Sequence, residues 1–352
     1  MWSQNPLTER LNLKWPIFQS PMGDITTPSL AAAVSEAGGL GGLGMWGFSG
    51  EDAERRVAGF RQQSGGSLNV NYPLWDHPGD ISNTGHAMRT AVQKLYDQEG
   101  LGPIPNPVGS AGGVTDEHLE MLQKMKPELI SFHFGLPGEN TIAAIKEIGI
   151  FIVSSATTVA EARALEQRGV DAIIAQGIEA GGHRGTFTDT PISMQPGLFS
   201  LLPQVVDAVR VPVIAAGGIS DGRTIAAAIM MGASAVQIGT AFLRCEEANV
   251  SDSHKDGLDL GTEANTVVTP LLSGRPARFI KNKLIDDLTD SDAEPLAFPA
   301  QMGLIHGLGG VGKTELTPLY AGQSIAMARN LPAGELVEKL AAETTACFQA
   351  YI

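Results

Sequence analysis

The stretch Gln176-Gly177-Ile178-Glu179-Ala180-Gly181-Gly182-His183-Arg184-Gly185 sets an imidazole in glycine-rich, bare backbone. Backbone without side chains suits a loop that a ligand approaches closely. A neutral imidazole takes a proton near neutral pH, so His183 is the candidate general base for a carbon acid. A lone histidine satisfied in a core is the bland alternative. Arg184 fits either an anionic substrate group or a solvated surface position. Glu179 is either a loop carboxylate or the group that orients His183.

Two further clusters suit an anion. Gly217-Gly218-Ile219-Ser220-Asp221 and Gln237-Ile238-Gly239-Thr240 each follow an apolar run. Glycines there let backbone N–H groups converge on a phosphate, and the start of a following helix adds its positive dipole end. A single Gly-Gly pair reads as a tight turn; two on adjacent strand ends favour a phosphate. Asn69 and Gln176 are amides among apolar neighbours and need partners. The edge of a flavin ring, with alternating donors and acceptors, would satisfy them; backbone partners in a core are the alternative. Met22, in Pro21-Met22-Gly23, would lie against such a ring. His133, inside SFHFG, points either into the same mouth or into packing.

One motif is set aside. Residues 307–314, GLGGVGKT, match the G-x-x-x-x-G-K-[ST] phosphate loop letter for letter. That loop needs a buried strand before it and a helix directly after it. AFPAQMGLIHG precedes it and Pro318 follows, so a glycine-rich lid segment is the preferred reading, with Lys313 reaching the substrate entrance.

The elements that must position these residues follow a repeat. Apolar runs at 16–22, 39–44, 67–72, 129–135, 150–157, 171–182, 211–219 and 233–242 alternate with amphipathic segments. Thr27 and Pro28 begin the first helix; Thr158 and Glu161 have capping-box spacing; Gly169 and Gly232 are stops. Strands that are apolar throughout belong to a parallel sheet covered on both faces. Eight such units predict an α/β fold, a (β/α)8 TIM barrel, with an open doubly wound sheet as the rival. Barrel enzymes place their sites at the carboxyl ends of the strands and bind phosphate after strands seven and eight, where the glycine pairs stand. Residues 1–243 form the expected barrel and 244–315 an inserted lid or substrate subdomain. Residues 316–352 supply C-terminal helices, at about 317–330 and 333–350. The segment 103–113 could pass as a ninth strand and is read as part of a long connection.

Composition excludes several classes. The 352 residues carry a formal charge of −14 and no basic cluster, which argues against nucleic acid or an anionic membrane as partner. Cys245 and Cys347 have no CxxC neighbour, and His77, His86, His118, His254 and His306 lack ligand spacing, so no metal is expected. The start, MWSQNPLTERLNLKWP, does not read as a signal peptide, and no apolar run is long enough to span a membrane. A cytoplasmic location is the default expectation.

At this point the segments PIFQSPMGDITTPSLAAAVSEAGGLGGLG, SFHFGLP, GIEAGGHRGTF, PVIAAGGISDGRTIAAAIMMGASAVQIGTAFL and YAGQSIAMARNLPAGELVEKL resemble nitronate monooxygenase, formerly 2-nitropropane dioxygenase. The likeness covers nearly the whole chain, and EAGGHRG is its most diagnostic part. The resemblance implies a barrel with non-covalent FMN that oxidises alkyl nitronates with O2 to a carbonyl compound and nitrite. It implies FMN contacts at Asn69, Gln176, Gly181, Gly218, Gln237, Ile238, Gly239 and Thr240. His183 falls on the family's catalytic histidine, a base for a neutral nitroalkane and a polar partner for the nitronate. The segment before YAGQ, where relatives often carry aromatic residues at the substrate site, reads FPAQMGLIHGLGGVGKTELTPL, a departure that bears on substrate size. The runner-up is an NAD(P)H-dependent FMN reductase of quinones or enoyl thioesters on the same barrel.

Overall fold

The computed structural model describes residues 2–351. Its strands are β1 (Ile17–Gln19), β2 (Gly41–Gly44), β3 (Leu68–Pro73), β4 (Leu129–His133), β5 (Phe151–Ala156), β6 (Ala172–Gln176), β7 (Gly182–His183), β8 (Val213–Ala216), β9 (Ala235–Ile238), β10 (Thr266–Thr269) and β11 (Ala277–Ile280). Eight of them form one parallel sheet in the order β1-β9-β8-β6-β5-β4-β3-β2. A parallel bridge from Phe18 to Leu40 joins β1 to β2, so the sheet closes and no edge is left unpaired. The expected TIM barrel is present.

The strands are apolar over most of their length because their two faces meet different cores. Val70, Ile130, Ile152, Ile173, Val213 and Val236 belong to the layer shared with the helices. Their alternates Phe18, Leu129, Val153, Ile174, Ile214 and Ala235 fill the barrel interior. Helix α1 (Pro6–Arg10) closes the amino-terminal end, where Leu7 and Leu11 join the interior cluster and are buried. Burying each such leucine contributes about 1.5–3 kcal/mol. Towards the carboxyl ends the inward row turns polar: Asn71, Ser131, His133, Ser155, Gln176 and Gln237. The site is therefore a consequence of where along the axis the apolar filling stops.

The helices of the barrel are α2 (Pro28–Glu36), α3 (Gly50–Arg61), α5 (Asp116–Met125), α6 (Glu139–Ile148), α7 (Val159–Gln167), α8 (Leu198–Ala208) and α9 (Gly222–Met230), with α4 (His86–Glu99) in the connection after β3. Thr27 accepts from Leu30 N–H at 3.0 Å and opens α2 as its cap. Thr158 caps α7 through Glu161 N–H at 3.1 Å, but the reciprocal half of the capping box is missing. The Glu161 carboxylate turns instead to Thr157, Thr186, Phe187 and Thr188.

The remainder departs from the sequence reading at 171–182 and 317–330, while 103–113 is the long connection it was read as. Residues 171–182 are not one strand: the barrel strand ends at Gln176, and β7 pairs in a second sheet with the antiparallel hairpin β10–β11. Residues 103–113 form no strand and make only the Trp75–Gly112 bridge. Residues 244–315 are ordered into α10 (Asp252–Asp259), the hairpin, α11 (Lys283–Asp290) and α12 (Ala300–Gly309). Leu272, Phe279, Leu288 and Leu304 there share a second core with Met88, Val92 and Tyr96 of α4. Residues 317–330 hold no α-helix, only a short 3-10 turn at Ile325–Met327. The single carboxyl-terminal helix, α13 (Ala333–Tyr351), packs on α9 and α2. It thereby fills the place of the eighth barrel helix, delayed by the intervening subdomain. Among the described residues no helix is long and apolar enough to cross a membrane.

Candidate active site

Ten of the residues singled out in the sequence line one cavity of about 530 Å³ at the carboxyl ends of the strands: Met22, His133, Gln176, Gly181, His183, Gly217, Gly218, Gln237, Gly239 and Thr240. Four do not. Asn69 faces inward one layer deeper and is buried. Asn71, two residues on and so on the same face, lines the cavity in its place. Ile238 points into the helix layer. Arg184 is buried, donating to Gln195 Oε1 at 2.8 Å, Gly177 O at 2.6 Å and Gln176 O at 2.8 Å, so it braces the end of β6 and cannot receive substrate. Lys313 lies on the surface, paired with Glu99 at 2.6 Å. The phosphate-loop match itself straddles the end of α12, which ends at Gly309, so a helix stands where its strand is needed and only a three-residue 3-10 turn, Thr314–Leu316, follows it. Lys313→Ala is expected to leave cofactor content and kcat/KM unchanged within about twofold, as for surface substitutions remote from a site. A tenfold loss in a steady-state assay would return that lysine to the entrance.

His183 is held by its backbone. Pairing places it opposite Ala277, and Arg184 N–H donates to Pro276 O at 2.9 Å. Its carbonyl accepts from Gln176 Nε2 at 3.1 Å and from His133 Nε2 at 3.0 Å. Because a carbonyl only accepts, His133 carries its proton on Nε2, and its Nδ1 accepts from Ser155 at 3.1 Å. His133 is thus a brace whose ring borders the cavity. Burial pulls it down to about 4, so it is neutral near pH 7. Gln176 Oε1 takes Gly185 N–H at 2.8 Å. That amide meets the loop backbone through one donor and one acceptor, the alternative to a flavin edge, while its residue still lines the cavity. Glu179 does not orient His183; both its oxygens accept from Leu198 N–H at the start of α8, at 2.8 and 2.9 Å.

The His183 ring sits in an aromatic box. Its centroid lies 5.8 Å from Phe134, 5.2 Å from Phe298 and 5.7 Å from Tyr320. Nε2 is buried without a partner among the described residues. Burial first, then the neighbouring His133 and Arg275, push its pKa down to about 3. The imidazole is neutral near pH 7, with no carboxylate behind it. Phe298 belongs to the segment before YAGQ, so an aromatic wall is present after all, with Trp46 and Met302 beside it.

The opposite end is built of backbone. Gly217 and Gly218 have φ of +110° and +70°, conformations that suit glycine. The N–H groups of Gly217, Gly218, Gly239 and Thr240 find no acceptor among the described residues. Ser220 Oγ and Gln237 Oε1 are buried and unpartnered as well. The start of α9, expected to add its positive dipole end, has most of its N–H groups capped. Asp221 takes Thr224 N–H at 2.9 Å, Thr224 takes the N–H groups of Ser220 and Asp221, and Glu343 takes that of Gly222.

The YAGQ segment, which motif reading left without a role, stitches these ends together. Gly322 N–H donates to Thr240 Oγ1 at 2.9 Å, Gln323 N–H to Glu179 O at 3.0 Å, and Ser324 Oγ to Gly218 O at 2.9 Å. A signal existed for Asn71 in the period-two pattern of β3. No periodicity pointed to Phe298 or Tyr320, which come from the chain beyond the last barrel strand.

A closed parallel barrel whose strand ends hold a cavity with a buried imidazole at one end and unpartnered backbone N–H groups at the other is the arrangement of a barrel enzyme. The nitronate monooxygenase family model matches residues 4–343, and the chain belongs to that family. It is 37% identical over 351 residues to a probable nitronate monooxygenase of Staphylococcus aureus strain MSSA476, covering 97% of each chain. Nitroalkane oxidase from Streptomyces ansochromogenes is 37% identical with a TM-score of 0.89, over 99% of this chain and 100% of that one. FabK from Thermotoga maritima is 28% identical with a TM-score of 0.76, over 99% of each chain.

Proposed function

We propose that the protein oxidises alkyl nitronates with O2 to carbonyl compounds and nitrite, using non-covalent FMN, with His183 as the polar partner of the anionic substrate. The residues present fit that cofactor. Four uncommitted N–H groups and the Ser220 hydroxyl suit a phosphate, while Gln237 Oε1 and Asn71 offer polar atoms to a ring edge, with Met22 beside them. A cavity of 530 Å³ is within the range that encloses a molecule of this size. Bound FMN would supply the electron-transfer chemistry that no side chain here offers. The chain supplies placement, an aromatic pocket wall and a neutral imidazole.

The observation that carries this reading is the neutral His183 ring, set in the cavity wall among Phe134, Phe298 and Tyr320. A group whose conjugate acid lies near 3 is a weak base towards a carbon acid. The site therefore favours a substrate that arrives already deprotonated. A neutral nitroalkane becomes a substrate only where the new anion beside the imidazole lifts that value again.

The test is a choice of reductant. Purified holoprotein given propyl 1-nitronate in air is expected to consume O2 and release nitrite, while NADH or NADPH under argon leaves its flavin spectrum oxidised for minutes. Rapid bleaching by NAD(P)H without nitrite release from nitronate would assign the barrel to quinone or enoyl-thioester reduction instead.

A further inference from the structure

We infer that the Tyr320 hydroxyl is the second hydrogen-bond donor to the substrate's nitro group, beside the His183 imidazole. The inference rests on the nitronate reading. A nitronate spreads its charge over two oxygens and asks for more than one donor. No lysine or arginine lines the cavity, so neutral donors must hold that anion. Most of the side-chain donors there are committed: Ser155 to His133, Gln176 to His183 O, Asn71 to Ser131 and Ser324 to Gly218 O.

Tyr320 is free and fixed. Its residue lines the cavity, and its ring centroid lies 5.7 Å from that of His183 at 44°. Three contacts pin its backbone: a bridge to Phe279, Ile280 N–H on Leu319 O at 2.8 Å, and His254 Nε2–H on Tyr320 O at 2.9 Å. The ring lies against Phe279 at 4.5 Å, so it cannot swing away. Its hydroxyl has no hydrogen bond among the described residues, yet it is not one of the sealed polar atoms. Tyr96 shows how this chain treats a phenol in packing: its hydroxyl donates to Leu304 O at 3.2 Å and accepts from Gly307 N–H at 2.9 Å. Tyr72 also lacks a partner, but its oxygen is sealed in the helix layer, against His118. An uncommitted phenol at the cavity wall keeps its donor for a ligand. Burial raises its pKa, so it stays protonated in the working range.

The experiment titrates inorganic nitrite, a small nitrogen oxyanion and the expected product, into oxidised holoprotein and follows the flavin absorbance. Tyr320→Phe is expected to retain flavin, weaken nitrite about tenfold or more and raise the nitronate KM similarly, with kcat changed much less; a hydrogen bond to a charged group is worth that much. Site-specific 3-fluorotyrosine at 320, a more acidic donor, is expected to tighten nitrite, which a purely packing role would not do. This second variant also decides the matter if Tyr320→Phe loses its flavin. Equal nitrite affinity and KM in wild type and Tyr320→Phe, or no response to fluorination, overturns the inference while leaving the functional reading intact. A wild-type holoprotein that neither binds nitrite nor consumes nitronate overturns both.

Discussion

His183→Asn is expected to keep its FMN and to lose turnover unequally on the two forms of one substrate. On preformed nitronate the loss should be roughly 10- to 100-fold, the scale of one hydrogen bond to a charged group. On the neutral nitroalkane it should reach about 10²–10⁴-fold, because positioned proton transfer is removed as well. The cofactor should stay, since the N–H groups offered to its phosphate lie on residues 217–240 and not on the histidine. The backbone should stay too, because the clamp on residue 183 acts through its carbonyl and its pairing with Ala277. Holding the wild-type imidazole down near 3 carries a pH consequence. The ring is neutral over about pH 5–9, so kcat on preformed nitronate should show no limb near the ordinary histidine value of 6.5. Near-normal turnover on both forms in the Asn variant, measured by O2 uptake with flavin-normalised enzyme, removes His183 from its role. Equal losses on both forms remove only its part as a base.

The eight-strand repeat was legible because buried parallel strands are written as dense apolar runs, and the caps at Thr27, Thr158 and Asp221 stand where the runs end. Which amide faces the cavity was less legible. Asn69 and Asn71 share a face, and only the depth at which interior leucines and isoleucines give way to polar side chains separates them. Arg184 and Glu179 look catalytic in one dimension, being charged and next to a histidine. In space both charges are turned on backbone: Arg184 on two carbonyls, Glu179 on the first N–H of α8. Residues contributed across large sequence separations were not legible at all. Phe298 and Tyr320 reach the imidazole from the 244–330 region, and no periodicity relates position 183 to positions 115 and 137 residues downstream.

That remote contribution can be tested with a single methyl group. Gly181 and Gly322 meet backbone to backbone, where the His183 loop crosses the YAGQ segment. A Cβ at Gly181 would stand 2.5 Å from Gly322 N and 2.6 Å from Ala321 C, distances that no side-chain adjustment can relieve. Gly181→Ala must therefore separate the two segments by about an ångström, the shortfall from ordinary van der Waals contact. Separation would stretch the bonds from Gly322 to Thr240 and from Gln323 to Glu179, which tie the anion cradle to the loop. The variant is expected to purify with less than a tenth of the wild-type flavin, and to show little activity even with FMN added in excess, because a misplacement of this size costs about 10²-fold. The neighbouring Gly182 supplies the control. It has φ of +73°, but a Cβ there meets nothing within 4 Å. Gly182→Ala incurs only left-handed backbone strain, about 1–2 kcal/mol, and should retain flavin and most of its rate at moderate temperature. A fully active, flavin-replete Gly181→Ala enzyme would mean that the loop and YAGQ do not lock the site together, and that Tyr320 and His183 reach their positions independently.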